Sequence, residues 1–150
     1  MENQTKDDAR AAFAAIDAGR AAAAEHLVSP LWYHPVLGLL TAGYLVAVTS
    51  GSIVATLIAV PIFLGGLFAL MASYKKITGV WISGFKAGRA SWWAAAMGGV
   101  VVILFGFAYA QIWPAWVAAA ATFIAVNVFG LLFDKTLRAS LRAGTVAAPR

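Results

Sequence analysis

Four stretches of about 19 to 21 residues, 31–49, 53–73, 91–110 and 114–133, contain no Asp, Glu, Lys or Arg. That feature limits what the chain can fold into. A helix rising 1.5 Å per residue crosses a hydrocarbon core of about 30 Å in roughly 20 residues. A segment that enters lipid must satisfy every backbone donor and acceptor internally, which a helix does and an open strand does not. The expected fold is therefore all-α: an integral membrane four-helix bundle. Its first span is the shortest, because its unbroken apolar run starts only after His34 and Pro35. It reaches full length when Leu31, Trp32 and Tyr33 join it at the interface.

Composition agrees. Of 150 residues, 62% are hydrophobic and 11% charged, against roughly a quarter charged in a soluble domain. The alanine-rich composition suggests a bacterial plasma (inner) membrane. With no cysteine, a disulfide framework, Cys-ligated zinc, iron–sulfur clusters and thiol chemistry are excluded.

The net charge of +5 gains meaning from its placement. Lys6, Arg10 and Arg20 precede the first span; Lys75, Lys76, Lys86 and Arg89 lie between the second and third; Lys135, Arg138, Arg142 and Arg150 follow the fourth. These are all 11 basic residues, and the short breaks at 50–52 and 111–113 hold none. Basic residues are retained in the cytoplasm during insertion, so both ends and the long loop are expected there. Aromatic belts fit this orientation, with Trp32, Tyr33, Tyr74, Trp92 and Trp93 at the inner boundary and Tyr109, Trp113 and Trp116 at the outer. A nucleic-acid surface would need a cationic stripe interleaved with aromatics, and no such stripe is present.

Three regions follow: an N-terminal cytoplasmic helix within 1–29, a four-helix domain over 30–138 and a cytoplasmic tail over 139–150. The first region is alanine-rich and starts with acids, unlike a cleavable signal peptide. A helix is expected from about residue 7 to residue 27, capped by Thr5, with Phe13, Ile16 and Leu27 as a weak amphipathic stripe.

Candidate functional residues are few. Asn127 and Thr41 lie at similar depth in the fourth and first spans, level with the pairs Gly65-Gly66 and Gly98-Gly99. They are candidates for an intramembrane polar contact, either fixing helix packing or forming a polar constriction. Pro61 falls in mid-span, where it removes a backbone donor and crowds the Leu57 carbonyl; it is the candidate hinge. Lys75, Lys76, Lys86 and Arg89 share a loop without an acid and are candidates for anionic-lipid contact, or serve only to set topology. Ile77, Trp81 and Phe85 recur every four residues and suggest an interfacial face.

No ionisable group falls inside the spans once His34 is placed at the interface, which argues against ion-coupled carriers that bind through an intramembrane charge. His26 and His34 are too few to hold a metal or haem, so no cofactor is expected. No carboxylate pair or Ser-His-Asp set is expected to converge, because Asp134 stands alone at the end of the fourth span, and no enzymatic role is expected. The expected role is that of an accessory, scaffolding or regulatory membrane subunit, acting through helix packing and cytoplasmic-face contacts with a partner membrane protein. The alternative is a homo-oligomeric small transporter or channel.

Overall fold

The structure, a computed structural model, describes residues 2–26, 29–79 and 87–143. It is helical, with no strand among the described residues: α1 (Glu2–His26), α2 (Tyr33–Thr49), α3 (Ile53–Thr78), a 3-10 turn (Gly88–Ala90), α4 (Ser91–Tyr109) and α5 (Ala115–Arg142). Three segments are long and apolar enough to cross a membrane: Ile53–Thr78, Gly88–Tyr109 and Ala115–Arg142. The fourth apolar helix, α2, has 17 residues, about 26 Å of rise.

Several boundaries differ from expectation. α1 begins at Glu2, so Thr5 lies within the helix and does not cap it. α3 continues beyond Ser73 to Thr78, and α5 beyond Phe133 to Arg142; polar residues extend a helix that apolar residues have already nucleated, since each added residue contributes a further backbone bond. Ser52 Oγ accepts from the Ala55 N–H at 3.3 Å to start α3. Gly79, at φ 73°, ends it in the left-handed region that favours glycine. Trp81 and Phe85 of the expected interfacial face, and the candidate lipid contact Lys86, lie outside the described residues.

The packing also differs from a closed bundle. α5 packs against α2, α4, the 3-10 turn and α1, whereas α3 is held chiefly by α2. The apolar helices thus follow one another as a row, α3–α2–α5–α4, curved enough that α2 also touches α4. Small side chains explain where the row is tight. One core cluster joins Ala42, Leu45, Ala108, Ala118 and Ala119, and another joins Ala24, Ala87, Ala90, Leu137 and Leu141; alanines let backbones approach closely. α3 offers bulky Leu57, Ile58, Ile62 and Phe68, all exposed. Tyr44 of α2 joins its neighbours, stacking on Phe63 of α3 with centroids 4.6 Å apart and tilting against Phe105 of α4 at 6.0 Å.

α1 packs on α5, with Ala24 near its C-terminal end in the core cluster. Ala24 is fully buried there, while Phe13 and Ile16 of the expected apolar stripe are exposed.

Candidate functional site

The basic flanks converge at one end of the row: the start of α2, the last turn of α3, the start of α4 and the C-terminal half of α5. α2 and α5 are antiparallel neighbours, so His34 in the first turn of α2 meets Asp134, one residue past the apolar part of α5. His34 Nε2 lies 2.9 Å from Asp134 Oδ2, and both side chains are buried. Ser29 Oγ donates to the other carboxylate oxygen, Oδ1, at 2.9 Å. With the carboxylate acting as acceptor, the imidazole N–H at Nε2 is the donor.

This overturns the expectation that Asp134 stands alone and that Ser, His and Asp side chains do not converge. The order, however, is Ser–Asp–His, with the carboxylate in the middle. The serine hydroxyl is bonded to Asp134 and not to the imidazole, so it lacks the base that activates a nucleophilic serine. Chemically the trio is a buried polar lock between α2, α5 and the segment leading into α2.

Gly130, one helical turn before Asp134, makes room for it. A Cβ at that position would stand 2.6 Å from His34 Cε1 and 2.7 Å from Cγ, closer than carbon atoms pack. The glycine therefore allows the imidazole to lie across α5 and reach the carboxylate.

Two recesses flank the lock. On one side is a cleft of about 150 Å3 lined by Tyr33, His34, Tyr74, Met97, Phe129 and Phe133, with Ser29 among its polar groups. Tyr33 and Tyr74 rings meet there at 5.6 Å. On the other side is a groove of about 830 Å3 between the start of α2 and α5, bordered by Leu31, Pro35, Leu131, Lys135, Arg138 and Arg142. Among the described residues no three His, Asp or Glu side chains gather as metal ligands.

The residues singled out from sequence are scattered by comparison. Asn127 Nδ2 donates to the Phe123 carbonyl of its own helix at 2.8 Å and lies against Gly38, where a Cβ would come within 3.0 Å of it. Thr41 Oγ1 likewise donates within its own helix, to the Leu37 carbonyl at 2.8 Å. Both hydrogen bonds thus stay within one helix, and Asn127 meets α2 through its contact with Gly38. Thr122, fully buried on the same α5, has no hydrogen-bond partner for its hydroxyl. Pro61 lies inside an α3 that continues on both sides of it; Gly66 beyond it receives the Leu40 side chain of α2, whereas Gly65 faces open space. Lys75 and Lys76 occupy the last turn of α3, Arg89 lies in the 3-10 turn beside Trp92 and Trp93, and Lys86 falls outside the described residues.

Sequence reasoning missed Ser29, Gly130 and the His34–Asp134 pair. A usable signal existed: the two ionisable residues sit at matching depth, at the ends of two spans that run in opposite directions. Comparison with known protein families, with curated proteins and with solved structures returns no match.

Proposed function

We propose that the chain is a multi-pass protein of a bacterial plasma membrane, crossing it four times with both ends in the cytoplasm. We further propose that it works as an accessory, scaffolding or regulatory subunit through helix packing and contacts at its basic end. The observation that carries this is the apolar surface the row leaves uncovered. Leu57, Phe68 and Val102 are each more than three-fifths exposed, which water tolerates poorly over a continuous surface and lipid or a partner helix accommodates. α4 adds a face suited to a partner: Ala95, Gly99 and Gly106 recur at helical spacing, and a Cβ at Gly98, Gly99 or Gly106 would meet nothing within 4 Å. Small residues so spaced let a second helix approach closely. α2, at the short end of spanning lengths, is completed by Trp32 at its entry, and the collection of basic residues at one end supports the orientation.

A homo-oligomeric small transporter or channel is the second candidate. It is favoured by the cleft beside His34 and Asp134, because ionisable groups within a membrane bundle commonly mark a pathway.

Purification in mild detergent with mass determination separates the two. Recovery with a different membrane protein is the expected result, and a closed homo-oligomer supports transport instead. A reporter fused after Ser52 is expected to stay dark in the cytosol; a cytosolic signal there, or a chain that is monodisperse without detergent, overturns the membrane assignment.

A further inference from the structure

The groove between the start of α2 and α5 is not used by the role proposed above, although its interpretation rests on the same membrane placement. Leu131, Lys135, Arg138 and Arg142 follow one another on α5 at steps of four, three and four residues, which puts them in one stripe along the helix. The stripe changes from apolar to cationic as it leaves the apolar part of α5. The opposite wall places Pro30, Leu31 and Pro35 beside Ser29 and His34, with Leu31 at 91% exposure and Pro35 also exposed.

The local charge is unbalanced. Asp134, at the groove floor, is held by His34 and Ser29. Glu25 reaches Arg142 at 3.9 Å. Lys135 and Arg138 have no ion-pair partner among the described residues. The first turn of α2 borders the same space; its Tyr33 N–H is bonded to the Pro30 carbonyl and Pro35 has no N–H, so this helix end adds its dipole to the attraction for an anion and not a row of free donors.

We infer that this groove binds an anionic phospholipid, with its phosphate between Lys135, Arg138 and the first turn of α2 and an acyl chain along Leu131 and Pro35. A guanidinium grips phosphate oxygens in pairs, and the level at which the stripe turns cationic is where headgroups meet hydrocarbon. A soluble phosphate would need the cations and leave the apolar walls unoccupied; a phospholipid uses both.

The test uses the full chain in mild non-ionic detergent, titrated with phosphatidylglycerol or with phosphatidylcholine of the same acyl chains, with bound lipid read by native mass spectrometry. One phosphatidylglycerol per chain is expected, held at least tenfold more tightly than phosphatidylcholine. Lys135→Gln with Arg138→Gln lowers that affinity by about thirtyfold, the loss expected of two headgroup cations. Lys135→Gln alone, on an exposed side chain, lowers it about fivefold and serves if the double variant is unstable. Arg10→Gln, on the exposed part of α1 and outside the groove, leaves it unchanged. Equal retention of the two lipids, displacement by inorganic phosphate, or wild-type affinity in Lys135→Gln overturns the site. Release of the chain from membranes by alkaline carbonate defeats the membrane assignment instead, so the two failures are distinguishable.

Discussion

His34 and Asp134 are separated by 100 residues in sequence and joined by a 2.9 Å contact between Nε2 and Oδ2, with Ser29 on the second carboxylate oxygen. Asp134→Ala strands the buried His34 donor and the part-buried Ser29 hydroxyl and is expected to cost about 1–3 kcal/mol, the desolvation penalty of unsatisfied groups. Asp134→Asn keeps one carbonyl acceptor and should cost less. Thermal unfolding in detergent measures the order; equal stability of Asp134→Ala and the parent chain would show that the contact holds nothing together.

Gly130→Ala forces a methyl group against the His34 ring, 2.6 Å from Cε1, and is expected to destabilise the protein by about 1–3 kcal/mol through overpacking. His34→Ala in the same chain removes the obstacle. The double variant should therefore lose less than the sum of the single variants, and a double-mutant cycle reads the coupling directly. Additive losses would mean that the two residues do not share this space.

Tyr44 tests how α3 is held. Tyr44→Ala removes its ring contacts with Phe63 and Phe105, each worth about 0.5–1.5 kcal/mol beyond area burial. Amide exchange along α3 should accelerate more than along α5. Phe68→Ala, on the same helix but 66% exposed, should change stability by no more than about 0.5 kcal/mol. An equal response to both substitutions would mean that α3 is not anchored through Tyr44.

Docking of α1 should depend on Ala24 and not on the neighbouring ion pair. Ala24→Asp sets an unpaired carboxylate among Ala87, Ala90, Leu137 and Leu141, which a buried apolar site resists strongly. Limited proteolysis should then cut α1 away rapidly. Glu25→Ala removes the 3.9 Å contact with Arg142, in which the Glu25 side chain is 77% exposed. Such surface pairs contribute about 0–1 kcal/mol, so protection should persist. Rapid cleavage in Glu25→Ala but not in Ala24→Asp would reverse the assignment.

What the residues settle by themselves is helical class and the position of each apolar segment. Length, hydropathy and backbone hydrogen bonding are local quantities, and they located all four apolar helices from the amino-acid order alone. Pro61, Asn127 and Thr41 stood out for the same local reason, as polar or irregular residues in apolar surroundings. Local unusualness, however, does not reveal a partner: both polar side chains bond within their own helices.

Tertiary structure decided which helices touch and what gathers at their ends. Whether α3 closes a bundle or stands at the edge of a row depends on matching bulky Leu57 and Phe68 against the surfaces of other helices, which no single helix encodes. The Ser29–Asp134–His34 lock depends on α2 and α5 packing side by side, and on Gly130 lying where the imidazole crosses. Each of these residues is ordinary in its own segment. The site exists because antiparallel packing brings the start of one helix to the end of another, and hydrogen-bond chemistry is decided by distances that only packing sets.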